Sequence, residues 1–157
     1  MQKITPFLWF DDQAEDAMNF YLEVFKNSKV LSINRYGSGA PKPEGTLLTA
    51  SFELNGLKFI ALNGGALFKF SPATSFVVEC ENQAEVDYYW EKLGAGGRYN
   101  RCAWLDDKFG VTWQVVPKQL GELLSSPDSV KAGRVMQAMM QMSKIDIASL
   151  QHAHAAE

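Results

Sequence analysis

The sequence predicts an α+β fold in which a unit of strand, helix and several strands occurs twice and is followed by C-terminal helices. An internal repeat is the first reason: Asp12-Gln13-Ala14-Glu15 has a counterpart 70 positions on, Asn82-Gln83-Ala84-Glu85. In both copies an apolar run precedes these residues and an aromatic-rich helical pattern follows, with Phe20-Tyr21 in one and Tyr88-Tyr89-Trp90 in the other. The second reason is that each copy then ends in two strand-like runs joined by turn residues. The third is a switch to helical spacing after Pro117. A half-barrel sheet with an uncovered face, present twice, is expected to bury that face by pairing and to enclose a cleft. The 157 residues are read as one domain, with module one about 1–70, module two about 71–117 and a helical extension about 118–157.

Each element rests on spacing and punctuation. Ile4 to Phe10 is an apolar run stopped by Asp11-Asp12, which are N-cap residues, and Ala14, Ala17, Met18, Tyr21 and Phe25 then recur at helical spacing. Lys29 to Tyr36 alternates apolar and polar residues as a strand does, and the glycines and prolines from Gly37 to Gly45 predict a mobile loop able to cover a site. Leu47 to Leu54 and Leu57 to Leu62 flank Asn55-Gly56, a dipeptide suited to positive φ at both centres of a hairpin turn. In the second copy, Ser75 to Val78 reads as a strand and Gln83 to Leu93 as a helix, which Gly94-Ala95-Gly96-Gly97 stops. Arg101 to Leu105 and Val111 to Val116 read as strands around the turn Asp106-Asp107-Lys108-Phe109-Gly110. Leu120, Leu123 and Leu124, then Val130, Val135, Met136, Met139 and Met140, give the helical tail. His152 and His154 are expected in a disordered end.

Ten Phe, five Tyr and four Trp among 46% hydrophobic residues exclude a disordered chain. A net charge of −3 provides no basic field for a phosphate backbone, so nucleic acid is not an expected partner. No run approaches the roughly 20 apolar residues of a membrane span, and the start lacks the pattern of a signal peptide, so a cytoplasmic location is expected. Cys80 and Cys102 lack metal-ligand spacing and read as reduced thiols.

Four segments carry a resemblance: Phe7 to Glu15, Ala61 to Gly65, Trp104 to Gln114 and Arg134 to Met139. Through them the chain resembles the PhnB-like group, labelled 3-demethylubiquinone-9 3-methyltransferase-like, of the vicinal oxygen chelate superfamily of glyoxalases, bleomycin-resistance proteins and dioxygenases. The resemblance implies paired βαβββ modules, a small-molecule ligand and a homodimer, for which the apolar stripe of the tail offers a contact surface. Metal-using members of that superfamily take one His, Glu or Gln from the first and last strand of each module. Aligned on helix starts and hairpins, those places hold Thr5, Ala61, Thr74 and Gln114. Ala61 cannot ligate and the others are neutral, so no metal and no cofactor are expected. Methyl transfer from S-adenosylmethionine calls for a glycine-rich turn between a strand and a helix, whereas Gly94 to Gly97 follows a helix.

The expected ligand-binding residues are Gln114, Cys102, Trp104, Thr5 and Asn63, and no catalytic residue is identified. Gln114 is a polar anchor if it points into an apolar pocket, and a core amide satisfied by backbone if it does not. Alternation places Cys102 and Trp104 on one strand face, with Cys102 more readily structural than nucleophilic because no His can make it a thiolate. The sequence therefore predicts a metal-free small-molecule binding protein of the bleomycin-resistance kind. The alternative is an enzyme of the same superfamily, a metal-dependent isomerase or lyase, or the methyltransferase of the label.

Overall fold

The computed structural model describes all residues, Met1–Glu157. The chain forms two compact units, Met1–Phe70 and Ser71–Glu157. The first contains β1 (Phe7–Phe10), α1 (Ala14–Val24), β2 (Ser28–Arg35), β3 (Leu47–Leu54) and β4 (Leu57–Asn63). Its sheet has the order β1-β4-β3-β2, with β1 parallel to β4 and the other pairs antiparallel. Alternation decides its two faces: Leu8, Phe10, Ala50, Phe52, Phe59 and Ala61 are buried on the face that carries α1. From α1 itself, Ala14, Ala17, Met18, Tyr21 and Val24 are the buried residues, which is the stripe that the spacing predicts.

Asn55 and Gly56 both have positive φ, 50° and 84°, as a tight hairpin with right-handed twist requires. The Gly37–Gly45 segment is tied at its base, because Tyr36 N–H bonds Thr46 O and Gly45 N–H bonds Tyr36 O. The strand β1 is shorter than the apolar run: it starts at Phe7, and Ile4 is exposed. Asp11 and Asp12 do not cap α1 either. The N-cap position is Gln13, without a side-chain cap, and the Ala14 N–H is instead taken by Asn63 Oδ1 at 2.8 Å.

The second unit repeats the plan with β5 (Phe76–Cys80), α2 (Gln83–Gly94), β6 (Arg98–Tyr99), β7 (Trp104–Asp106) and β8 (Thr112–Pro117). Its order, β5-β8-β7-β6, with β5 parallel to β8, matches that of the first unit. Asn82 caps α2 by accepting from Glu85 N–H. The glycines after it serve close packing: a Cβ on Gly94 would fall 2.1 Å from the Tyr99 ring, and one on Gly97 would fall 2.1 Å from the backbone oxygen of Asp106. Gly94 to Gly97 is thus a helix exit pressed against the sheet.

The extension is three helices, α3 (Lys118–Leu124), α4 (Ser129–Met140) and α5 (Ile147–Ala155). They share a small core with the end of the second sheet, in which Leu120, Val135, Ile145 and Leu150 pack with Ala103, and Val116 lies against them. The expected disordered end is helical: His152 and His154 lie in α5, and His154 Nε2 is 3.2 Å from Ser126 Oγ. Arg134 holds that end by donating to the carbonyls of Ala153, His154 and Ala156, which are left open at a helix C-terminus. No helix is long and apolar enough to cross a membrane.

Candidate functional site

The face of the second sheet turned away from α2 carries a row of polar side chains and one tryptophan. On β8, Trp113 and Val115 are buried with Leu105 and Cys80 on the α2 side, so Gln114 points the other way. The register sets Gln114 opposite Val77 on β5 and opposite Trp104 on β7. Asn100, one step past β6, follows at the edge, with its N–H on Trp104 O. The neighbouring row holds Ser75, Thr112, Asp106 and Arg98. Gln114 Nε2 donates to Ser75 Oγ at 2.9 Å, so the amide is fixed in orientation and its Oε1 remains an unengaged acceptor.

Trp104 is distinctive among the four tryptophans. Trp9 donates to Gly65 O and meets Phe68 edge-on, Trp90 stacks on Tyr99, and Trp113 donates to Asp107 Oδ2. Trp104 is half-buried and has neither a ring partner nor an acceptor for its indole N–H. An amphipathic ring without partners next to a fixed amide is what an aromatic-lined ligand site offers.

The segment 104–114 owes its form to Asp107, which sequence reasoning did not single out. Asp107 is buried; its Oδ1 accepts from Phe109 and Val111 N–H and its Oδ2 from Trp113 Nε1. Gly110 completes the turn with φ 90°. These bonds lock Trp113 inward and thereby present Gln114 outward. An aspartate in a turn closed by glycine is visible in sequence, but its burial is not, and its three donors come from residues two to six positions later that only folding brings together.

The other expected site residues are placed differently. Cys102 does not share a strand with Trp104, because β7 begins at Trp104. Cys102 and Ala103 form a left-handed turn, with φ 59° and 79°, whose N–H groups bond Met142 O and Ser143 O, and Cys102 Sγ lies 3.7 Å from Met139 O. The thiol therefore faces the helical extension. Asn63 is buried in the first unit, where Oδ1 takes the Ala14 N–H and Nδ2 donates to Leu47 O at 3.0 Å. It ties the start of α1 to the start of β3. Thr5 is half-buried in the lead-in to β1.

The alignment of metal positions also shifts. Ala61 is fully buried on the α1 side, and at its level the opposite face of the first sheet carries Ile60 and Leu62. Thr74 is exposed in a turn, and the contact to Gln114 comes from Ser75 instead. No group of three or more His, Cys, Asp or Glu side chains lies close enough to hold an ion. A four-ligand divalent centre of the metal-using kind does not fit these residues. Cys80, completely buried, has its thiol pushed up to about 12, by burial first and then by the charges of Glu85 and Glu79, so it is a packing residue.

The profile of the family described as 3-demethylubiquinone-9 3-methyltransferase matches residues 2–116. A solved structure described as a putative 3-demethylubiquinone-9 3-methyltransferase, PhnB protein, from Bacillus cereus is 40% identical, with 74% of this chain and 99% of that chain covered and a TM-score of 0.69. Protein PA1353 from Pseudomonas aeruginosa is 18% identical, with coverages of 74% and 98% and a TM-score of 0.62. The fosfomycin-resistance protein FosX from Mesorhizobium loti is 16% identical, with coverages of 80% and 100% and a TM-score of 0.55. The last two share the fold alone. No curated protein is similar enough to count as a relative.

Proposed function

We propose, from the premise that this chain belongs to the 3-demethylubiquinone-9 3-methyltransferase family within the vicinal oxygen chelate superfamily, that it is a metal-free small-molecule binding protein. Its ligand lies on the open face of the second sheet against Trp104 and Gln114. The observation that carries this reading is the pair itself, an indole without a partner in register with an amide held by Ser75. The ring contributes apolar area and an N–H donor, and Gln114 Oε1 contributes an acceptor that fixes orientation.

Methyl transfer, the chemistry in the family description, finds no support in the glycine-rich segment, since Gly94 and Gly97 are filled against Tyr99 and Asp106. Metal-assisted isomerase or lyase chemistry would need clustered donors, and no group of three or more His, Cys, Asp or Glu side chains lies close enough to hold an ion. A test is a thermal-shift screen of small aromatic and aliphatic compounds, with each hit titrated against the protein and its Trp104→Leu and Gln114→Leu variants. Hits are expected to lose affinity in both, by about 1 to 3 kcal/mol for Gln114→Leu if the ligand donates a buried hydrogen bond to it. Hits that bind both variants as tightly as the parent protein would remove this face from the function.

A further inference from the structure

We infer that the ligand of this face is an aromatic anion, a planar ring with a carboxylate or similar acidic group, and that Arg98 receives the acidic group. The inference rests on the Trp104 and Gln114 site just proposed. Its own observation is the state of the arginines. Arg35 is paired with Glu15, and Arg134 is spent on three carbonyls at the end of α5. Arg98 and Arg101 have no hydrogen-bond or ion-pair partner, and Arg98 stands at the edge of the open face.

Asp106, opposite Arg98 in register, would be its natural partner, yet it forms no ion pair with it. Its Oδ1 instead accepts from Thr112 Oγ1 at 2.7 Å. The guanidinium is left one row from Trp104, within the diagonal reach of neighbouring strands. An exposed fork of donors next to an unpartnered indole and two carboxamides, Gln114 and Asn100, fits a ring that stacks on Trp104 and directs a carboxylate to the edge strand. The other anchor points on this face, Ser75 and Val77, carry no positive charge.

Isothermal titration with 1-naphthoate and its neutral isostere 1-naphthamide tests this. Naphthoate is expected to bind about tenfold more tightly or better, as a charge-assisted pair implies. That advantage should shrink with added salt and vanish in Arg98→Gln, whose exposed position leaves the fold intact, while Trp104→Leu weakens both compounds. Equal binding of the two, with both still dependent on Trp104, overturns the acidic ligand and leaves the site standing. An advantage that survives Arg98→Gln overturns the assignment of that residue. Absence of Trp104-dependent binding by either compound overturns the aromatic class, while the screen with unrelated compounds still decides whether the face binds anything.

Discussion

Replacing Asn63 by alanine should destabilise the protein more than any surface change, because one buried amide bonds two backbone groups, at the start of α1 and at the start of β3. Loss of the bond to Ala14 N–H, 2.8 Å long, removes a helix-start interaction worth about 0.5 to 2 kcal/mol. Loss of the donor to Leu47 O, 3.0 Å away, removes a hydrogen bond to a residue only 2% exposed, worth about 0.5 to 1.5 kcal/mol. Together the expected loss is about 1 to 3.5 kcal/mol, or roughly 2 to 14 °C in midpoint for a chain of this size. Urea unfolding followed by far-ultraviolet circular dichroism measures it. Asn63→Asp adds a second readout. Its carboxylate can still accept from Ala14 but repels the Leu47 carbonyl, so burial raises its folded pKa above the unfolded one. The variant should therefore approach the parent at low pH, where the protonated acid can donate, and lose stability as pH rises through that pKa. An alanine variant within about 0.5 kcal/mol of the parent, or an aspartate variant indifferent to pH, would refute the role given to Asn63.

Two glycines should respond in opposite ways to alanine. Gly97→Ala places Cβ against a backbone carbonyl that cannot rotate aside and should cost about 3 kcal/mol, whereas Gly133→Ala, in α4 with open space around it, should gain about 0.5 to 1 kcal/mol; denaturant midpoints with the reverse order would contradict both. Cys80 should resist a thiol reagent such as dithionitrobenzoate until the protein unfolds. With its thiol held up to about 12 in the folded state, against an ordinary value of 9.0, unfolding releases a proton above pH 9. Cys80 therefore contributes stability that is present below pH 9 and falls by up to about 1.4 kcal/mol per pH unit above it. A Cys80→Ala variant with the same alkaline slope as the parent would exclude that contribution.

What was legible in the sequence was local and periodic. Asn55-Gly56 forced its own turn, the stripe from Ala14 to Val24 found its buried side, and the repeat of Asp12-Gln13-Ala14-Glu15 by Asn82-Gln83-Ala84-Glu85 announced two sheets of one plan. Strand β6 escaped notice because two residues, Arg98 and Tyr99, are too few to show a period. Cys102 and Ala103 read as strand because nothing in their chemistry announces a left-handed pair; contacts to Met142 and Ser143, some 40 positions later, impose it. The aspartates before α1 look like caps, yet the capping amide comes from Asn63 in β4. For the site, alternation put Trp113 and Gln114 on opposite faces without deciding which face Gln114 takes, while the solitude of Trp104 and Arg98 depends on what every other side chain has chosen and is invisible in one dimension.

The turn at Cys102 and Ala103 couples the extension to the sheet like a latch with two teeth. Each residue gives up an ordinary backbone conformation, at roughly 1 to 3 kcal/mol apiece, and the turn is held by the carbonyls of Met142 and Ser143 and by the Val115 N–H on Ala103 O. If α4 and α5 swing away, two of these three bonds are lost and only the one from β8 still opposes the strain. The segment preceding Trp104 is then free to relax toward the extended form that its composition favours. Docking of residues 118–157, which lie beyond the segment matched by the family profile, is in this way transmitted to the strand that carries the indole. Hydrogen exchange at the amides of Cys102 and Ala103 would clock that release, as a partial opening distinct from the melting of β8.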